Sequence, residues 1–415
     1  MSKLTYKLYH LGCKVNQYDA GSLIGQLEGL GFESAKNEAD LVLVNTCTVT
    51  QTAVKKDLRM VERARKENPN AKIAITGCLP VNYLAEAEQA GVDYIAGVGQ
   101  SEVLLKKIKK DFKLEEVLNC VNLLSDQSDR SRYFMKVQDG CRQFCSYCII
   151  AHNRGPLRSE SLDKILVEAR EAIIHGFKEF VLCGIHLGLY GVDVIGAEKI
   201  NLVYLLKQLL ALPGMGRIRM SSIEVTEVTD ELIMLMMTNR KMCRHLHIPL
   251  QSGNDKILKS MNRPYTTEYF KKRIEAVRIA MPEVAITTDV IVGFPGESET
   301  DFAETLDFCD QINFSKIHVF PYSAHEKTPA ASFPGQLDNS IKKQRARALQ
   351  TLSDDLEKAY LKSFINKEIE VVVDARSDGN KHRGKSEYYF DVEFESEADV
   401  KTGDLIKVKF WQALK

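Results

Sequence analysis

Cys141, Cys145 and Cys148 form a CxxxCxxC array in DGCRQFCSYCII, residues 139 to 150, directly after the apolar run Tyr133 to Val137. Thiolate sulfur is a soft ligand suited to iron–sulfur clusters and zinc, and thiols this close in one loop can converge on one centre without long-range folding. A cubane takes one ligand per iron, so three cysteines leave one iron open to a small molecule. Structural zinc prefers paired CxxC knuckles and a fourth ligand, which is absent nearby. The alternative to a metal centre is a group of buried thiols acting as small hydrophobes.

Three more cysteines are far apart in the chain but equivalently placed. Cys13, Cys47 and Cys78 end the strings HLGC, VNTC and ITGC, each just past a β-prone run: Leu4 to Leu11, Leu41 to Asn45 and Lys72 to Gly77. The stretches 18–30 and 50–67 carry apolar residues at helical spacing and are closed by Gly31 and Pro69. Strand and helix in alternation imply a parallel sheet with crossover helices. The carboxyl ends of such strands form the rim where ligands bind, so a second three-cysteine centre is expected there. Three unrelated buried thiols are the other reading.

The chain of 415 residues is long enough for two or three domains, and its 44% hydrophobic content suits a soluble globular protein. It contains no run of roughly 20 apolar residues, and its start lacks the layout of a signal peptide. A cytoplasmic protein with no membrane association is expected, in which ten cysteines point to metal or catalysis rather than disulfides. With 56 basic and 56 acidic side chains, nucleic-acid affinity must come from local patches. KKDLRMVERARK (55–66), KKIKKDFK (106–113), KKQRAR (342–347) and KHRGK (381–385) are the candidates, each of which also reads as a solvated helix face or loop.

Residues 133 to 137, 180 to 184, 218 to 223, 245 to 250, 285 to 293 and 316 to 322 are strand-like runs, and helical patterns over 162–175, 202–212, 230–238 and 267–281 supply an outer layer. Six such units imply a barrel-like parallel sheet with its site at the strand C-termini. Polar and glycine residues gather there: Gly184 and His186, Glu224, Gln251 and Ser252, and Asp289 before GFPGE. Residues 115 to 132 read as a linker holding the lone thiol Cys120; Cys183, Cys243 and Cys309 read as core packing. In the tail, the runs 368–374, 387–394 and 404–411 predict a small all-β domain. Lys381, Arg383 and Lys385 stand in a loop of it, with Tyr388, Tyr389 and Trp411 nearby to stack on bases.

These strings resemble a known family. CxxxCxxC with an aromatic before its last cysteine, here Tyr147, is similar to the radical S-adenosylmethionine signature, in which the open iron chelates the amino acid end of the cofactor and the aromatic lies near the adenine. LGCKVNQYD, VNTCTVT and TGC resemble the N-terminal domain of the methylthiotransferases, where these cysteines hold an auxiliary cluster, and LGCKVNQ is most similar to the type acting on threonylcarbamoyladenosine in tRNA. HIPLQSGND followed by MNRPYT is similar to the same family.

The resemblance implies an α/β architecture in three parts: an N-terminal parallel-sheet domain (1–125), a partial (β/α)6 radical-SAM barrel (126–362), and a TRAM-like all-β RNA-binding domain (363–415). It implies two [4Fe-4S] clusters, on Cys141, Cys145 and Cys148 and on Cys13, Cys47 and Cys78. S-adenosylmethionine would be bound by Tyr147, Gly184, His186, Glu224, Gln251, Ser252 and Asp289. Arg154 and Arg158 in NRGPLRSE are assigned to a cofactor carboxylate or an RNA phosphate, with Arg154 on the cofactor and Arg158 joining Lys381, Arg383 and Lys385 on RNA. The reaction implied is methylthiolation of C2 of N6-threonylcarbamoyladenosine at position 37 of tRNA, with a reductant such as flavodoxin or ferredoxin and no DNA partner. An aromatic C–H is not acidic, so a cofactor-borne radical must open it. The alternatives are isopentenyladenosine in tRNA, a ribosomal protein aspartate, and a non-enzymatic iron–sulfur RNA-binding protein.

Overall fold

The structure is a computed structural model that describes residues 3–114, 131–195, 200–376, 380–396 and 399–411. Of the expected linker from 115 to 132, residues 115–130, with Cys120, lie outside the described residues. Two compact units emerge: residues 1–129 with 148–156, and residues 130–147 with 157–415.

The first unit is built on strands β1 (Leu4–His10), β2 (Phe32–Ser34), β3 (Leu41–Thr46), β4 (Lys72–Gly77) and β5 (Tyr94–Ile95). All pair in parallel in the order β2-β1-β3-β4-β5. Every residue of the central strand β3 is buried, as a strand covered by helices on both faces requires. Successive residues point to opposite faces. Leu41 and Leu43 therefore join Ile24, Leu27 and Ile108 in one core, and Val42 and Val44 join Val54, Val61 and Ile75 in the other. β2 and β5 were not foreseen, because runs of three and two residues carry too little periodicity to register.

In the second unit, β6 (Tyr133–Lys136) precedes a two-residue pair, β7 (Gln138–Asp139) with β8 (Arg158–Ser159). Five strands follow: β9 (Glu179–Cys183), β10 (Arg217–Met220), β11 (His245–His247), β12 (Ala285–Val292) and β13 (Lys316–Pro321). β6, β9 and β10 form one parallel sheet and β11, β12 and β13 another. Parallel bridges Ile218 to Met242 and Ser222 to His247 join β10 to β11. The six expected strands thus run side by side in chain order, with their carboxyl ends on one rim. The helices Leu162–Ile174, Leu202–Leu210, Asp230–Thr238 and Thr267–Ala280 lie where the pattern put them. The helical pattern around Cys309 is the helix Glu299–Ile312, started by a Ser298–Asp301 capping box, and the KKQRAR stretch lies in the helix Asn339–Lys362.

The tail is a four-stranded antiparallel sheet in the same unit, made of β14 (Glu368–Arg376), β15 (Lys381–Ser386), β16 (Asp391–Glu395) and β17 (Leu405–Lys409) in the order β16-β15-β14-β17. The basic stretch 381–385 is therefore a strand, not a loop. Its burial alternates: His382, Gly384 and Ser386 face inward while Lys381 and Arg383 face solvent. The expected strand 387–394 begins only at Asp391, because residues 386–390 form the turn and Tyr389 takes φ +76.

That turn meets the first residues of the barrel strands. Tyr389 stacks on His245 with centroids 4.4 Å apart, and the Arg219 guanidinium lies 5.1 Å from the Tyr389 centroid. Arg217 donates to the Lys385 carbonyl at 3.0 Å, and Arg219 to those of Ser386 at 2.8 Å and Glu387 at 3.2 Å. Between them the fully buried Glu179 accepts from Arg217 Nε at 2.6 Å and Arg219 Nε at 2.8 Å. Burial alone would raise the Glu179 carboxyl; Arg219 and Arg217 hold it at about 2.

Candidate active site

Cys13, Cys47 and Cys78 stand just beyond the carboxyl ends of β1, β3 and β4, which are neighbours in the sheet. Each is placed by a short backbone device. Cys13 is the N-cap of the helix Lys14–Gly29, and its side chain makes no cap hydrogen bond. The Cys47 N–H donates to Asp57 at 2.8 Å, and the Cys78 N–H to the Thr46 carbonyl at 3.1 Å. Asn16, 1% exposed, ties the rim together: its amide donates to the carbonyls of Leu11 and Thr46, both at 2.9 Å.

Cys13 and Cys78 are each preceded by a glycine whose place excludes a side chain. Gly77 has φ +94, and a Cβ there would lie 2.5 Å from the Thr46 carbonyl oxygen. Gly12 has φ +115, and its Cβ would stand 3.0 Å from Cys47 Cβ and 2.8 Å from Asn16 Nδ2. Glycine alone adopts such a backbone without steric cost.

Burial pushes the Cys78 thiol up to about 12, and the Arg154 guanidinium pulls against it; Cys47 and Cys13 push it further. Cys47 is likewise raised, mainly by burial, with Arg154 opposing. Among the described residues, only His247, Asp289 and His318 bring three metal-ligating atoms within 4.8 Å of one another, so this trio is wider than that. A tetrahedral zinc with Zn–S near 2.3 Å needs sulfurs about 3.8 Å apart. A core that gives each thiolate its own iron suits the wider spacing, and three soft donors on a buried rim fit it.

The residues of the first array are held differently. Cys148 accepts a hydrogen bond at sulfur from the Ile150 N–H at 3.4 Å, and belongs with residues 148–156 to the first unit. Cys141 and Cys145 belong to the second. There the Ser146 N–H meets the Met261 carbonyl at 3.1 Å, the Asn262 amide donates to the Phe144 carbonyl at 3.0 Å, and Tyr147 packs on Ile257, Met261 and Phe294. Cys141 Sγ lies 3.4 Å from His186 Nδ1, whose Nε2 is 2.6 Å from Glu227. Burial opposes protonation of His186, yet its bonds to Cys141 and Glu227 lift it to about 10. Arg263 donates to Cys145 Sγ at 3.2 Å and pairs with Glu224.

The other expected binding residues lie on the barrel rim with distinct surroundings. Gly184 follows β9, where a Cβ would press on Gln138 and Leu187. Gln251 takes φ +68 and bridges to β12, its N–H donating to the Asp289 carbonyl at 2.8 Å. Ser252 is fully buried, its hydroxyl 3.3 Å from Thr305 Oγ1. Asp289 sits 3.2 Å from His247 Nε2, and His247 Nδ1 is 2.8 Å from Thr287 Oγ1. Glu297 of GFPGE is buried, accepting from the Gly293 N–H at 2.7 Å and pairing with Arg345, so KKQRAR is only partly a solvated face.

The basic residues divide as well. Arg158 is half-exposed, 3.7 Å from Asp139. Lys381 and Arg383 are exposed, whereas Lys385 pairs with Asp391 and lies 5.0 Å from the Tyr389 centroid. Arg154 departs most from expectation. It is 2% exposed and donates to Asp19 at 2.6 Å and Asn16 at 3.3 Å, with Nη2 4.0 Å from Cys78 Sγ. Asn16, Asp19, Glu227 and Arg263 were not singled out from sequence. Asn16 stands in LGCKVNQ and Arg263 in MNRPYT, but nothing in either string shows the distant partner.

Family models match twice: the Radical SAM superfamily over residues 135–309, and a family described as Uncharacterized protein family UPF0004 over residues 5–97. The chain is 37% identical to the threonylcarbamoyladenosine tRNA methylthiotransferase MtaB of Bacillus subtilis (strain 168), over 99% of this chain and 94% of that protein. It is 33% identical to a tRNA-2-methylthio-N(6)-dimethylallyladenosine synthase of Acetivibrio thermocellus, over 98% and 88%. In three dimensions it resembles the radical S-adenosylmethionine methyltransferase TsrM from Kitasatospora setae, with a TM-score of 0.60 and 14% identity over 80% of this chain and 77% of that one.

Proposed function

Because the chain belongs to the radical SAM methylthiotransferase family, we propose that it methylthiolates C2 of N6-threonylcarbamoyladenosine at position 37 of tRNA. As a radical SAM enzyme it uses S-adenosylmethionine and a [4Fe-4S] cluster. The observation that carries the finer reading is the meeting of Cys13, Cys47 and Cys78 on one sheet rim, a sulfur site additional to the first array. Cys141, Cys145 and Cys148 would hold a cluster able to supply the electron for S-adenosylmethionine cleavage, and Cys13, Cys47 and Cys78 would hold one able to supply the sulfur.

The chain's own residues bind and orient. His186 holds the Cys141 side chain against Glu227, and Arg263 holds Cys145 against Glu224. Tyr147, Gly184, Gln251 and Asp289 are the residues assigned to the cofactor. Arg158, Lys381 and Arg383 are assigned to RNA phosphates, with the reaction in the cytoplasm and a flavodoxin or ferredoxin as reductant. Among the described residues, no helix is long and apolar enough to cross a membrane.

The test is reconstituted, reduced protein given tRNA with and without the threonylcarbamoyl group. S-adenosylhomocysteine, 5′-deoxyadenosine and methylthiolated nucleoside should form with the first and poorly with the second. Equal turnover of dimethylallyladenosine tRNA would move the assignment to the other tRNA branch of the family. The variant lacking Cys13, Cys47 and Cys78 should hold about four irons instead of about eight and give no methylthiolated product.

A further inference from the structure

Arg154 lies six residues past Cys148, yet its guanidinium is turned toward the second trio. We propose that Arg154 is a positioning residue of that site, a fixed buried charge that stabilises the Cys13, Cys47 and Cys78 thiolates and tunes the potential of the cluster they hold. This rests on reading the three cysteines as cluster ligands.

Three thiolates bring like charges to a rim where Cys47 and Cys78 are almost fully buried, and charges out of water need a counter-charge nearby. Arg154 is a buried cation in reach, 4.0 Å from Cys78 Sγ and acting on Cys47 as well. Its planar fork spans Asp19, Asn16 and the Cys78 sulfur at once, which a lysine ammonium cannot do. The Asp19 side chain is 29% exposed, so solvent screens the acid more than the 1% exposed arginine, leaving net positive charge toward the thiols. Next to Arg154, Asn153 donates to Thr48 Oγ1 at 2.7 Å and pairs with Asn82, pinning the backbone that carries the guanidinium. The first array has the same pairing of a buried arginine, a cysteine and a carboxylate in Arg263, Cys145 and Glu224. Cluster potentials respond to nearby charge, to hydrogen bonds on sulfur and to exposure.

The test uses the full chain with Cys141→Ala, Cys145→Ala and Cys148→Ala, so that only the second site loads, and reads midpoint potential by EPR titration and iron loss to EDTA. Arg154→Gln should lower the potential and speed iron loss about tenfold or more. Asp19→Asn, which removes the opposing charge, should shift the potential the other way, and Arg154→Lys should retain iron far longer than Arg154→Gln. Opposite shifts from two neighbours are not what a packing role produces. The same potential in all variants, or iron lost from Arg154→Lys as fast as from Arg154→Gln, overturns the proposal. A parent that binds no iron overturns the reading of the cysteines, and the proposal with it.

Discussion

Cys78 stands on its rim because of the residue beside it. Gly77 takes a φ that no side chain adopts freely, with the Thr46 carbonyl closing the space where a Cβ would go. Gly77→Ala should cost about 1–3 kcal/mol, as a non-glycine residue held at positive φ does, and displace Cys78 from the rim. Thermal unfolding would register the first effect, and iron content falling from about eight toward about four the second. The glycines and cysteines were legible, since a thiol past a strand end is a local pattern. Arg154 was not: its string shows an arginine after a cysteine loop, but its partner Asp19 is 135 residues away.

The strands were legible because buried β-runs are contiguous, and parallel order follows from alternation with helices. What stayed hidden was how the tail sheet is fastened. Glu179, Arg217 and Arg219 each sit in a short buried strand, and only folding shows one carboxylate serving two guanidiniums that also bind the tail's carbonyls. Glu179→Gln should cost about 3–5 kcal/mol at neutral pH, since it leaves buried cations without their anion. Loss of hydrogen-exchange protection in β14 and β15 would report it. The pH dependence has a definite sign. Arginine holds the folded carboxyl at about 2 against its ordinary 4.5, so this stabilisation is complete above 4.5 and lost as pH falls toward 2. Urea unfolding of the wild type should weaken over that window, and the variant should lack this component.

Across the whole chain, equal numbers of basic and acidic side chains leave no general attraction for polyanions. Binding of tRNA must therefore rest on a few outward cations. Lys381 and Arg383 alternate with buried neighbours on β15 and both face solvent, whereas Lys385 is drawn into the Tyr389 turn. The pair Lys381→Ala and Arg383→Ala should weaken tRNA binding regardless of sequence and reduce the salt slope of log K by about 2. The single change Lys385→Ala should act mainly on stability. Filter binding over a series of salt concentrations separates the two.

The Tyr389 turn has one more consequence. With the Tyr389 ring laid on His245 and the carbonyls of Lys385, Ser386 and Glu387 gripped by Arg217 and Arg219, residues 385–389 act as a stopper at the lower mouth of the barrel. Cutting them away would uncork that mouth and strand two guanidiniums, so a shortened chain is an altered vessel, not the same enzyme minus its grip on RNA.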